Sequence, residues 1–190
     1  MSKENKVDEI KKFWPKNAPN FDNVPKYINK YKKELIVIKY GGNVLIDRKI
    51  FNNFIEDISV LNKLGLSIIV VHGGGPRIER KLKEENIQTK FINGLRVTDE
   101  KVISIVKNVL IDFNKDIVDS LKKKGSEAVT ITSKTNNVIN VVPDNKELGF
   151  VGIPDSINIQ FLKEIINKKQ IPVIAPLGIC LLYTSPSPRD

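Results

Sequence analysis

The 190-residue sequence predicts an α/β fold: an open, mostly parallel sheet sandwiched by helices and incomplete at the C-terminus. Three observations carry this. Short apolar runs, ELIVIK (34–39), SIIVV (67–71) and IPVIAPLG (171–178), read as strands, the first buried on both faces in a parallel sheet and the last buried. Between them, apolar residues recur at helical spacing. Glycine clusters, KYGGN (39–43) and HGGGP (72–76), then fall where two of the strands end.

Residues 1–33 form a polar, lysine-rich extension in which 6–13 and 24–31 could each make a short helix, separated by the breaker-rich FWP and NAPNFDNVP. The main lobe runs over residues 34–179. After ELIVIK, Asp47 is a candidate N-cap for a helix whose apolar residues are Ile50, Phe51, Phe54, Ile58, Leu61 and Leu64, closed by Gly65. SIIVV leads through the second glycine cluster into a helix near 76–85 that opens on Pro76. A long helix follows over about 99–124, capped by Thr98 or Asp99 and closed by Gly125. Its stripe is Val102, Ile105, Val106, Val109, Phe113, Ile117 and Leu121. AVTIT (128–132) and NVINVV (137–142) read as strands, the second pairing with GFVGI (149–153) as a hairpin. Ile159, Leu162, Ile165 and Ile166 mark the last helix, before IPVIAPLG.

CLLYTSPSPRD (180–190) abandons this alternation and reads as a non-native tail. If the sheet stops there, the edge and faces of 171–178 should be left uncovered, and the chain should aggregate.

Composition narrows the function. The net charge of +9 and pI near 9.5 invite a nucleic-acid reading. Lysine accounts for most of that charge and rises together with Asn and Ile, as AT-rich coding produces. Arginine, the usual reader of bases and phosphates, stands only at positions 48, 77, 80, 96 and 189. The expectation is a solvated basic surface and no nucleic-acid partner. No apolar run approaches the roughly 20 residues of a membrane span, and the first residues hold no signal-type apolar core. The single cysteine, Cys180, cannot close an internal disulfide and fits a cytoplasmic protein.

Two glycine turns at the carboxyl ends of strands stand where open α/β sheets bind ligands. Bare backbone there admits an anion to the N–H groups, and a helix starting at Pro76 adds its positive end. Tight-turn geometry is the plainer alternative. The spacing fails the dinucleotide fingerprint at Ile78 and Asn43, and no G-K-[ST] P-loop occurs. Lys39 ends an apolar strand just before a glycine pair; it is either a strand-end lysine reaching water or a fixed charge for phosphoryl transfer. Arg96, between a turn and a helix, either holds a carboxylate bidentately or pairs on the surface. His72, the only histidine, reads as structural, and no metal-ligand pattern appears.

VIKYGGN (37–43), IIVVHGGGPRI (68–78), NGLRVTDE (93–100), ELGFVG (147–152) and IPVIAPLG together resemble the amino acid kinase family in content, order and spacing. They most resemble its branch that acts on N-acetyl-L-glutamate. The resemblance implies transfer of the ATP γ-phosphate to the side-chain carboxylate of N-acetyl-L-glutamate, with Mg²⁺ on the ATP phosphates, in arginine biosynthesis. It implies that Lys39 stabilises the transferring phosphoryl group, that Gly41 and Gly42 bind phosphate, and that Gly74, Gly75 and Arg96 bind the acceptor. It further implies a homodimer or an arginine-inhibited homohexamer, in which residues 5–31 would be an interlacing helix.

The departures are as informative. The family continues past APLG into a nucleotide-binding lobe with a second lysine and an aspartate, for which this chain offers no counterpart. The chain is therefore expected to be inactive alone. TITSKTNNVI (130–139) also replaces a glycine-containing hairpin. Other carboxylate- or carbamate-directed members (glutamate 5-kinase or carbamate kinase types) and a non-catalytic metabolite-binding module are the alternatives.

Overall fold

The computed structural model describes residues 20–41, 47–134 and 138–180, together with Lys11, Trp14 and Ala18. Apart from Lys11 the proposed helix at 6–13, part of the interlacing segment, the loop at 135–137 and the tail from 181 lie outside the described residues. A 3-10 turn (Phe21–Asn23) precedes α1 (Val24–Tyr31), whose early Pro25 suits the free N–H positions of a helix start.

Four strands build the central parallel sheet: β1 (Leu35–Tyr40), β2 (Ser67–His72), β5 (Ala128–Ile131) and β8 (Ile171–Ile174), in the order β1-β2-β8-β5. Parallel neighbours need a crossover, and helices supply it. α2 (Arg48–Lys63) starts where the Asp47 carboxylate accepts from Lys49 N at 2.7 Å and Ile50 N at 3.0 Å. It ends on Gly65 at φ +86°. α3 (Gly75–Glu84) follows β2, with Pro76 at its second position rather than its first. α4 (Glu100–Lys123) is capped by Asp99, which accepts from Val102 N at 2.8 Å. Thr98, the other candidate cap, instead donates to Arg96 O at 2.8 Å.

α2 and α4 cover one face of the sheet, burying Tyr40, Ile55, Ile58, Phe113, Ile117 and Leu121 with Ile68, Val70 and Val173. Phe113 is fully enclosed, so truncating it to alanine would cost about 3–5 kcal/mol. α5 (Ile159–Asn167) covers the opposite face through Leu162 and Ile165 against Ile69, Ile131 and Ile174.

Two expectations are corrected here. The first strand is not buried on both faces: Leu35 and Val37 are 50% and 61% exposed. β1 is an edge strand, and the side chains packed with α5 come from the other strands of the sheet. Conversely, residues 171–174 are not an uncovered edge. They form the interior strand β8 between β2 and β5, buried at every position. No described helix is long and apolar enough to cross a membrane.

Beside this core, β3 (Phe91–Ile92) and β4 (Leu95–Arg96) make a small hairpin. A second sheet has the order β7-β6-β9, from β7 (Gly152–Ile157), β6 (Ile139–Pro143) and β9 (Ile179–Cys180). The long run read as one strand over 171–178 thus breaks after Ile174 and re-enters pairing only at Ile179, parallel to β6. The hairpin partner of β6 also begins later than expected, at Gly152, because the residues before it dock elsewhere. Thr98 N donates to Leu148 O at 2.9 Å, and Phe150 N donates to Thr98 O at 2.7 Å. Gly149 sits between these bonds at φ +69°, where an added Cβ would lie 2.3 Å from Thr98 O. Only glycine both reaches that left-handed conformation freely and leaves room for the carbonyl.

Gly149→Ala should therefore destabilise the chain by about 1–3 kcal/mol, read as a lower urea midpoint. Gly75→Ala, where a Cβ would meet nothing within 4 Å, should shift it by less than about 0.5 kcal/mol.

Candidate functional site

β1 and β2 pair in register from Leu35 with Ser67 to Tyr40 with His72, so both glycine turns leave the sheet at the same level. The turns are bonded to each other. Gly73 N donates to Tyr40 O at 2.7 Å, and a Cβ on Gly73 would stand 3.7 Å from Gly41 Cα. The two bends seen in sequence are thus one surface, with Gly41 on one side and Gly73–Gly75 on the other. Gly42 lies outside the described residues.

Gly74 and Gly75 differ in their surroundings. Gly74 is buried; a Cβ there would lie 2.5 Å from Leu110 Cδ2 and 3.3 Å from Ile78 Cδ1. Its bareness serves close packing of the turn against α4. Gly75 is exposed and opens α3, with Gly74 as an N-cap that offers no side-chain acceptor. Among the described residues no side chain caps the first N–H groups of α3, those of Gly75 and Arg77 (Pro76 has none), and an anion there would gain from the helix dipole.

Lys39 is exposed and points from β1 to the same side as Leu35 and Val37. Alternation along the strand therefore places it opposite Tyr40, whose ring is buried and stacked on Phe54 at 4.0 Å.

Arg96 is only 14% exposed in its side chain and is held on three sides. It stacks on Phe91 at 4.6 Å, donates to Thr89 Oγ1, and lies 4.0 Å from the Glu79 carboxylate. These groups line a cavity of about 520 Å³ with Leu82 and Ile87. Glu79 is one helical turn beyond Gly75 on α3, so Arg96 and the glycine turn share that helix, and none of the described contacts joins them directly.

The underside of the glycine turn is a buried polar chain. Asn114, fully enclosed on α4, donates from Nδ2 to Val173 O at 2.8 Å and faces His72 Nε2 at 3.1 Å. His72, 1% exposed, reaches Gly73 O from Nδ1 at 2.9 Å. A carbonyl can only accept, so the amide nitrogen must face Val173. That makes His72 Nε2 the acceptor and Nδ1 the protonated nitrogen. Among the described residues, Asn114 Oδ1 has no hydrogen-bond partner. Burial pushes the His72 pKa below its ordinary value; the bond to Gly73 opposes this, and the nearby Arg77 charge adds to it. Arg77 lies over the Phe113 ring at 3.9 Å and bridges to Asp116 at 2.8 Å, tying the start of α3 to α4.

Asn114, Glu79 and Thr89 were missed in the sequence. Asn114 left a signal, since it stands among Leu110, Ile117 and Val118 on the buried face of a helix. Glu79 and Thr89 left none.

The amino acid kinase family model matches residues 34–184. The chain is 55% identical over 172 residues to the acetylglutamate kinase of Pelagibacter ubique, covering 90% of this chain and 60% of that protein. It is 43% identical over 156 residues to the acetylglutamate kinase of Petrotoga mobilis, covering 80% and 52%. The chain therefore spans little more than half the length of these relatives. Among solved structures, smu.665 from Streptococcus mutans aligns with a TM-score of 0.68 at 30% identity, covering 79% of this chain and 61% of that one. The N-acetylglutamate synthase of Neisseria gonorrhoeae, complexed with coenzyme A and N-acetyl-glutamate, aligns at 0.72 with 20% identity, covering 84% and 37%, which speaks to the fold alone.

A histidine whose folded pKa lies below its unfolded value of about 6.5 stabilises fully above that pH, and the stabilisation is lost as the pH falls. Urea unfolding between pH 7 and pH 5.5 should show stability falling with pH in the unaltered chain, and falling less in His72→Asn.

Proposed function

Because the chain belongs to the amino acid kinase family, we propose that residues 34–179 form the acceptor-binding lobe of an acetylglutamate kinase. In this reading the acceptor is N-acetyl-L-glutamate. Its side-chain carboxylate oxygen forms a bond to the γ-phosphorus of ATP while the bond to the β-phosphate oxygen breaks, giving an acyl phosphate and ADP. No covalent enzyme intermediate is required; the protein aligns two anions and offsets their charge.

The observation that carries the reading is the bond from Gly73 N to Tyr40 O, which fuses two glycine turns into one bare-backbone surface at the carboxyl ends of adjacent parallel strands. Gly74 and Gly75 would present N–H groups to the acceptor, while Gly41 and Gly42 would line the phosphoryl side. Lys39, exposed at the end of β1, would neutralise charge on the transferring group. Arg96, already stacked and hydrogen-bonded, would take the α-carboxylate with little further loss of side-chain freedom. Acetylglutamate kinases at 55% and 43% identity support the choice of acceptor.

The described residues hold no cluster of three or more His, Cys, Asp or Glu side chains suited to a metal ion. By the family resemblance, Mg²⁺ would enter with the ATP phosphates, where it supplies charge neutralisation. The reading carries with it a cytoplasmic place in arginine biosynthesis, assembly as a homodimer or as a homohexamer under arginine control, and further ATP contacts in the length of the relatives that this chain does not span.

Calorimetry with N-acetyl-L-glutamate should show binding that Arg96→Ala weakens by about ten- to a hundredfold, the size of a lost charged hydrogen-bond pair. Equal affinity for L-glutamate, or binding unaffected by Arg96→Ala, would sink the acceptor assignment. In a coupled ADP-release assay the 190-residue chain should show no turnover.

A further inference from the structure

We propose that His72 is a positioning residue that aims the Gly74 N–H at the bound acceptor by holding the Gly73 carbonyl. The inference rests on the acceptor reading and goes beyond it, because it gives the family's glycine turn a mechanism of alignment supplied from the core.

The geometry runs through one peptide plane. His72 Nδ1–H donates to Gly73 O at 2.9 Å, so that carbonyl points at the buried imidazole. No peptide bond among the described residues is cis. In a trans peptide the C=O and the following N–H point in opposite directions. Gly74 N–H therefore faces away from the imidazole, at the opposite edge of the same peptide plane. The neighbouring peptide is fixed as well, since Gly73 N is committed to Tyr40 O at 2.7 Å. Of the N–H groups in this turn, Gly73's is spent on joining the strands, and none of the described hydrogen bonds uses Gly74's.

Glycine turns are the segments most prone to flip such a plane, because neither flanking residue carries a Cβ to resist it. Something else must hold it. A histidine can do so only in one tautomer, and here the tautomer is set from outside the turn. Val173 O, on the interior strand β8, orients Asn114 Nδ2; Asn114 Nδ2 occupies His72 Nε2; the proton is left on Nδ1 for Gly73. Phe113 packs edge-on against the imidazole at 5.1 Å and blocks ring rotation. The central sheet thus sets the direction of one amide through three hydrogen bonds. The chain tolerates an unpartnered Asn114 Oδ1 to do it.

Two substitutions separate positioning from packing. His72→Asn places an amide nitrogen where Nδ1 stands and can still donate to Gly73 O. His72→Gln places its amide where Nε2 stands, keeping the Asn114 contact and losing the Gly73 bond. N-acetyl-L-glutamate titrated into His72→Asn should bind within about threefold of the unaltered chain, and into His72→Gln at least about tenfold more weakly. The Gly74 amide signal in ¹H–¹⁵N spectra of the unliganded protein should move in the Gln variant and stay in the Asn variant. Equal losses in both variants, or an unmoved Gly74 signal in His72→Gln, would overturn the proposal.

The spectroscopic readouts need no ligand. If the unaltered chain takes up no N-acetyl-L-glutamate, the acceptor reading fails, while the Gly74 signal still decides whether His72 sets that amide. Nor does the test depend on the variants folding. ¹⁵N shifts of the single histidine in the unaltered chain should show a protonated Nδ1 and a bare Nε2 at neutral pH; the reverse tautomer would refute it.

Discussion

Parallel pairing of β1 with β2 is the constraint on which the rest depends. Six consecutive residue pairs hold the strands in register, so their carboxyl ends stop at the same height. The chain must then leave the sheet twice within a few ångströms. Gly41 and Gly73 meet there in ordinary contact, and one backbone hydrogen bond locks the two exits together. A polar surface of main-chain groups follows, on a scaffold too well packed to drift. α2 and α4 hold that scaffold from one side and α5 from the other, so the position of the turns is inherited from the core.

The candidate site is therefore built mostly from backbone and supported by side chains that never reach its surface. His72, Asn114 and Phe113 lie beneath it; Arg77 and Asp116 pin the first turn of α3 to α4 beside it. A buried polar chain of this kind is expensive, and the lone Asn114 Oδ1 alone forfeits about 1–3 kcal/mol against a partnered oxygen. Such a cost makes sense where direction matters more than stability. On the flank, Arg96 is restrained by an aromatic face, a hydroxyl and a carboxylate. Glu79 partly offsets its charge in the free protein. An incoming carboxylate would have to displace that interaction, which is weak at 4.0 Å and on a mostly exposed partner.

The sequence by itself determined the alternation of the main strands and helices, the cap at Asp47, the closing glycines at 65 and 125, and the family motifs, and it narrowed the second cap to Thr98 or Asp99. These rest on local chemistry: side-chain period, capping oxygens and glycine's freedom act within a few residues of one another. It could also have flagged Asn114, a polar residue on a buried helical face. Tertiary structure decided the rest. That ELIVIK has an exposed face depends on its place at the edge of the sheet, which no property of those six residues encodes. The break after Ile174 and the late start of β7 depend on a second sheet and on the clasp between Thr98 and Gly149, 51 residues apart. The glycines looked alike as letters, yet Gly74 is bare for Leu110 and Gly149 for a carbonyl, because the atom that forbids a Cβ comes from a distant segment. Local rules fix what a segment can be; only packing fixes what it meets.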